Sequence, residues 1–469
     1  MNKRYIYIAL IALSFGVLTS CSEDDLEPTL QQSKVIDNAV GTINDLQVIL
    51  NGAYNRMSLS AYYGRDKIIL GEVFADNAYS NANSNRFVAE ARMDLLPTSG
   101  ISESFWSQMY AVIASANIVI NATDIEIDPL NAEADQAEID QIKGEAYAIR
   151  ALAHFDLLTF YGQQNVNGGG ESSLGVPYVT TFRKEEDLFP PRNTVGEVKN
   201  MAYDDLEMAQ SLMNAGSTNP EFMNLYAAYA IEARIANYFE DWERSLEASQ
   251  FVIESGNYSI IESQDFVSSY AEKGSDNTIF EIAARENDNE GINGLANIYQ
   301  ATTYGDVVAL PNLAAIYESG DVRGVGGIIT QYESGTLRNT GKYPSIAPYD
   351  DDIPVIRYEE VVLLYAEALL ETASGEALVW LNSIPTNRGA STYSVANKEN
   401  ILLERRKELA FEGFRFHDLA RTGMDIPVPD GVLQTHGGPE YGSYNFALPI
   451  PLAEDSANAN LDQNFGYGN

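Results

Sequence analysis

The chain has 469 residues, 45% apolar and 20% charged, which is enough for a sizeable buried core. Its 67 acidic residues against 29 basic ones give a formal charge of −38. That balance lacks the basic footprint of a nucleic-acid binder and repels polyanions at long range.

Residues 1–20 read as a secretory signal rather than as structure. Lys3 and Arg4 precede an apolar run over residues 5–18 that is too short for a comfortable membrane span. The run ends in Leu18-Thr19-Ser20-Cys21, which resembles the bacterial lipobox, where the cysteine is lipidated and becomes the N-terminus. Cys21 is the only cysteine, so no disulfide forms within the chain and the one thiol sits at the anchor position. Residues 21–40, opening Ser22-Glu23-Asp24-Asp25, read as an acidic, flexible, lipid-anchored tether. Residues 41–469 read as one folded domain, with a helical scaffold over about 41–255 and 355–421 and a loop-rich lobe over about 256–350.

Apolar periodicity predicts the scaffold helices. Residues 41–59 carry Leu46, Ile49, Leu50, Ala53 and Tyr54 near one face. Residues 101–121 place Trp106, Tyr110, Ile113, Asn117 and Ile120 at offsets of three and four, with Asn117 read as a helix-to-helix hydrogen bond. Residues 133–161 carry two apolar stripes, so this helix packs on two sides. Thr194 and Glu197 have the spacing of a capping box, predicting a helix to about residue 213. Residues 221–239 and 242–255 read as a helical hairpin, and Tyr-Ala-Ile-x-Ala recurs at Tyr147–Ala151 and Tyr229–Ala233. Such paired helices resemble tetratricopeptide repeats with irregular spacing. Over 256–349 the helical beat fades into short strand-like runs at 278–283 and 325–331; Asp350-Asp351-Asp352 reads as a solvated turn. Helix returns over 355–370, 375–384 and 399–413, with 361–370 the most buried, and the tail runs extended through Pro449 and Pro451.

The most charge-dense stretch is 401–423, ILLERRKELAFEGFRFHDLARTG. Its charges fall at i,i+3 as Glu404–Lys407, Arg405–Glu408, Glu412–Arg415 and Asp418–Arg421. Phe411, Phe414 and Phe416 lie among them, so the stretch reads as a helix docked into the body with ion pairs at least half buried.

Motifs for chemistry are sparse. His154, His417 and His436 do not pair at metal spacing, and no G-x-S-x-G elbow is present. Glu286, Asp288, Glu290 and Gly291 partly match a calcium loop, but its twelfth position is Asn297. Ca²⁺ is therefore the single cofactor to consider, and none is required. Two segments combine aromatics with Asp, Asn and Arg, as a sugar-binding surface needs. One is Phe74-Ala75-Asp76-Asn77-Ala78-Tyr79, followed by Asn81, Asn83, Arg86 and Phe87; the other runs from Tyr299 to Tyr304.

ERRKELAFEGFRFHDLARTG resembles the signature near the C-terminus of the RagB/SusD family of outer-membrane nutrient-binding lipoproteins. FWSQMYAVIASANIVI, the Leu174–Tyr178 segment and the closing ALPIPLAEDSANANLDQNFGY resemble further family motifs, in the family's order across nearly the whole mature chain. The acidic residues after Cys21 resemble the family's surface-export signal. The resemblance implies a mostly α fold, a tetratricopeptide-like scaffold with an irregular inserted lobe. It implies no enzymatic activity but capture of an oligosaccharide, or a peptide in an alternative reading, at the outer-membrane surface. A SusC-like TonB-dependent transporter would receive it. The ligand site it implies lies near the two aromatic segments, and Asp76 matches a position often acidic there; Asn77, Tyr79, Phe87, Tyr299 and Tyr304 are the further contacts expected from the composition of those segments. An envelope scaffold and a surface glycosidase are the rival classes.

Overall fold

Helices start where the sequence supplies a cap. In the computed structural model, which describes residues 40–184, 188–373 and 375–468, the Thr42 side chain accepts from Asp45 N–H and Asp45 returns the bond to Thr42 N–H, opening α1 (Ile43–Ser58). The signal segment, Cys21 and the tether lie outside the described residues. A short α2 (Asp66–Val73) follows, then α3 (Gly100–Asn121) and α4 (Ala132–Tyr161). From Gly144 to Tyr161 every residue of α4 except Tyr147 is buried. Its two stripes are covered by α3 on one side and by α5 (Val195–Leu212) on the other. A Cβ on Gly144 would fall 2.5 Å from Met213 Cγ, so glycine permits that close approach.

The capping box expected for α5 forms: Thr194 Oγ1 accepts from Glu197 N–H at 3.2 Å and Glu197 accepts from Thr194 N–H at 2.8 Å. Thr194→Ala is expected to lower unfolding free energy by about 1 kcal/mol. Urea denaturation checks it, and an unchanged midpoint would count against the cap. Arg150 of α4 grips Asp205 of α5 at 2.6 Å and Asn117 of α3 at 2.8 Å, so Asn117 does bridge helices. His154 stacks on Tyr178 at 3.7 Å, and its Nε2 lies 3.0 Å from Val179 N, a structural role.

The hairpin of α6 (Leu225–Tyr238) and α7 (Trp242–Glu254) turns at Glu240, whose φ is 61°. It packs on α8 (Tyr358–Glu371), which also meets α9 (Ala377–Thr386) and α10 (Lys398–Leu409). The result is a mostly helical fold of stacked pairs.

Two short sheets make up the lobe. β1 (Ala78–Ser80), β3 (Val307–Ala309), β5 (Leu337–Asn339) and β4 (Ile329–Gln331) form one antiparallel sheet in that order. β2 (Thr278–Ile282) pairs with β6 (Ile353–Arg357). The expected helix over 355–370 therefore begins three residues late. Val355–Arg357 continue a strand, because β2, buried at all five positions, needs a partner for its backbone groups.

The charged stretch also departs from expectation. It is not one helix: α10 ends at Leu409, Phe411 (φ 70°) and Gly413 (φ 82°) turn the chain, and α11 (Arg415–Arg421) leaves at a new angle. Glycine is required at the turn. A Cβ on Gly413 would lie 2.8 Å from Ile68 Cα, and one on Gly71 would lie 2.2 Å from Gly413 O. Of the four expected i,i+3 pairs only Asp418–Arg421 forms, at 2.8 Å. Glu404 instead meets Arg323 at 2.6 Å, Glu412 meets Arg357 at 2.7 Å and also Lys342, and Arg415 meets Asp76 at 2.6 Å. A buried helix takes its counter-charges from whatever packs over it, since no water is left to solvate them.

Candidate ligand-binding site

The first aromatic segment leaves α2 through Phe74 and becomes β1, where Tyr79 registers against Val308 of β3. The chain then folds back in a tight loop through Ala82, Asn85 and Phe87, all with φ near +60°. This loop is fastened to the second segment. Asn81 N–H donates to Asp306 O at 2.9 Å, Asn83 Nδ2 to Tyr304 O at 2.5 Å, and Ser84 N–H to Asp306 Oδ1 at 2.7 Å. Arg338 of β5 fixes the far side by donating to the carbonyls of Tyr299 (3.0 Å) and Gly305 (2.9 Å). The structure thus joins two segments more than 200 residues apart.

On this support, the Arg86 guanidinium lies 3.6 Å from the centroid of the Tyr304 ring and donates to Asn293 Oδ1 at 3.3 Å. Arg65 sits over the Phe87 ring at 5.5 Å. Arg65, Arg86, Phe87, Glu90, Arg92 and Ser104 belong to the wall of an open cavity of about 550 Å³, within the ordinary range for a small-ligand site. Burial raises the Glu90 carboxyl above its usual range, and the neighbouring Asp66 raises it further. Asp66 is itself raised by burial, an effect that its 2.6 Å contact with Arg65 opposes. Arg92 is exposed and forms no ion pair among the described residues.

Three of the expected contacts lie in the interior. Asp76 is buried and bound to Arg415 at 2.6 Å and Arg406 at 3.0 Å. Asn77 is buried, donating to Glu72 and accepting from Arg406. Tyr299 is fully interior, stacked on Tyr343 and edge-on to Phe411. These residues tie the loop's root to α10 and the turn after it; their polar atoms are spent or enclosed. Tyr79 and Tyr304 are half-buried; Phe87 is buried, with Arg65 over its ring, and belongs to the cavity wall. Arg65, Glu90 and Arg92 escaped the sequence reading. Nothing in their spacing marks them, because each comes to the cavity from a different turn.

The Asp350–Asp352 turn is not simply solvated either. Asp352 is buried, its Oδ1 accepting from Ala284 N–H at 2.7 Å and Lys273 Nζ at 2.8 Å. Among the described residues no group of three or more His, Cys, Asp or Glu is placed to hold a metal. No helix among them is long and apolar enough to cross a membrane.

Comparison with known proteins agrees with this architecture. Residues 25–236 match a SusD-like family model described as starch-binding and associating with the outer membrane, and residues 177–467 match the SusD family model. A SusD-like protein of Formosa agariphila is 27% identical over 89% of this chain and 91% of its own length. The starch-binding protein SusD of Bacteroides thetaiotaomicron is 33% identical over 27% of this chain and 24% of its own. A crystal structure of a SusD superfamily protein from Bacteroides vulgatus superimposes with a TM-score of 0.82 at 27% identity, covering 92% of this chain and all of the other. With more than half its length matched by one model and the same stacked-pair scaffold beneath, the chain belongs to the SusD family.

Proposed function

We propose that this chain is a surface-exposed, lipid-anchored protein of the outer membrane that captures an oligosaccharide and passes it to a SusC-like TonB-dependent transporter. In this reading residues 1–20 are removed, Cys21 carries the lipid, residues 21–40 are a leash, and the remainder binds without breaking a bond. The observation that carries it is the joined loop pair, with Phe87 and Arg86, the latter stacked on Tyr304, in the wall of an open cavity of about 550 Å³. Sugar rings offer apolar C–H faces to aromatic planes and hydroxyls to Arg, Asn and carboxylate rims. The family model's description, starch-binding and associating with the outer membrane, supports both ligand class and location. Tyr79, Phe87 and Tyr304 are the proposed aromatic contacts; Asp76, Asn77 and Tyr299 hold the frame.

Calorimetry of the chain lacking residues 1–21 against a glycan panel tests this. Tyr304→Ala is expected to weaken binding of the preferred glycan about tenfold, since one aromatic contact is worth about 0.5–1.5 kcal/mol beyond its area. Unchanged affinity in both Tyr304→Ala and Phe87→Ala removes the site. Release of shortened product from the glycan would move the reading to the glycosidase class, with Glu90 and Asp66 as its carboxylates.

A further inference from the structure

Unpartnered buried polar atoms concentrate at one place away from the loop site. Among the described residues, Arg234 Nη1, Arg405 Nη1 and both ring nitrogens of His417 are buried without a hydrogen-bond partner. All three side chains line one interior cavity of about 40 Å³ between α4, α6, α8 and α11, and so does Lys67. Three cations surround one ring of that wall: Lys67 Nζ, Arg234 Cζ and Arg405 Cζ lie 5.3, 5.2 and 6.0 Å from the centroid of Phe414. Arg234 is 93% buried and Arg405 97%.

The other donors are already engaged. Arg234 spends Nε and Nη2 on Glu360 at 2.7 and 2.6 Å, and Arg405 spends Nε on Asp418 at 3.1 Å. Of the nearby carboxylates, Asp418 is taken up by Arg405 and Arg421, and Asp156 is engaged through one oxygen. Asp156 Oδ2 takes the hydroxyls of Tyr62 and Tyr63 at 2.8 Å each, and Lys67 Nζ reaches Asp156 Oδ1 only at 3.9 Å. The cavity wall therefore presents more N–H donors than acceptors. Water would bring two further donors, whereas a halide ion only accepts. The volume exceeds the roughly 10–15 Å³ one water needs and suits a single monatomic ion.

We propose that this cavity binds a small monovalent inorganic anion of chloride size, coordinated by Arg234, Arg405 and Lys67. His417 completes the shell as a donor. Burial, and after it the charge of Lys67, push its pKa down to about 3, so the ring is neutral and has one N–H to offer.

Crystals of the full chain grown in detergent with sodium bromide replacing chloride test the proposal. Diffraction at the bromine edge should show an anomalous peak bounded by Arg234, Arg405 and His417. In solution, the thermal midpoint should be at least about 2 °C higher in chloride than in gluconate at equal ionic strength, because an ion that binds only the folded state stabilises it. Lys67→Met should abolish that difference while keeping the helical circular dichroism; if this variant does not fold, the bromide peak decides alone. Absence of the peak means the cavity holds water and overturns the proposal whatever the midpoints do.

Discussion

Glu408→Ala is expected to lower the unfolding free energy by about 3–5 kcal/mol, the range for stripping one partner from a buried ion pair. Glu408 is fully buried. Its Oε1 accepts from Arg388 at 2.9 Å and Arg357 at 3.1 Å, and its Oε2 from Arg388 at 2.9 Å and Arg323 at 3.1 Å. Those arginines come from three places: the loop-rich lobe, the end of β6 and the segment after α9. Removing the carboxylate leaves three interior guanidiniums that only Glu359, Glu404, Glu412 and Asp321 can partly balance. Glu408→Gln keeps the shape but not the charge and should lose less. Glu399→Ala, on the exposed face of the same helix, should stay within about 0.5 kcal/mol. Urea unfolding of the three variants measures this; a Glu408→Ala loss below 1 kcal/mol would sink the view that this cluster locks lobe to scaffold. The arginines also hold Glu408 well below the usual carboxylate range. Its contribution is present above the unfolded-state carboxylate pKa and fades only as pH falls through the depressed folded value, so the cluster should survive mild acid.

The same cluster shows where sequence reading succeeds and where it stops. Helices were legible because their cause is local. Thr194 and Glu197 lie three residues apart, and the stripes of α4 repeat every turn. That the 401–423 stretch is buried was also legible, from three phenylalanines among its charges. Its partners were not, since Arg323, Arg357 and Arg388 are distant in the chain and no periodicity connects them to Glu408. Reading the stretch as one helix failed for a related reason. The turn at Phe411–Gly413 answers to the backbone of α2, which it touches. Around the proposed site, composition singled out both loops but could not tell cavity wall from buried frame. Asp76 and Asn77 lie at the buried root of a short strand, while Phe87 reaches the cavity only because the chain reverses through three residues of positive φ. Arg65 and Arg92, also on the wall, carry no signal at all.

Raising the pH from about 5 to 8 is expected to weaken the fold through one carboxylate, and Glu281→Gln should remove that loss. Glu281 lies in β2, buried on the strand pair that joins lobe to scaffold. Burial, and next the neighbouring Asp352, push its pKa up to about 8, so at neutral pH it holds a proton. Asp352 already engages Lys273 and Ala284 through Oδ1, and its Oδ2 has no partner among the described residues apart from the proton that Glu281 can offer. The folded pKa is raised, so the native state binds the extra proton between the unfolded carboxylate value, about 4.3, and about 8. Across that window the unfolding free energy falls as pH rises, by at most about 1.4 kcal/mol per unit for one proton. Asp351 and Glu145, each raised to about 7 by burial, add to the same slope, which is why the test is a difference. Wild type and Glu281→Gln should be equally stable within about 0.5 kcal/mol at pH 5, and the variant about 2 kcal/mol more stable at pH 8. A glutamine amide can still donate to Asp352 and accept from Gly274 N–H, which now bonds Glu281 at 3.0 Å. If the gap between the two chains does not widen with pH, the proton is not on this pair, and Asp352 is balanced by Lys273 and Arg285 without it.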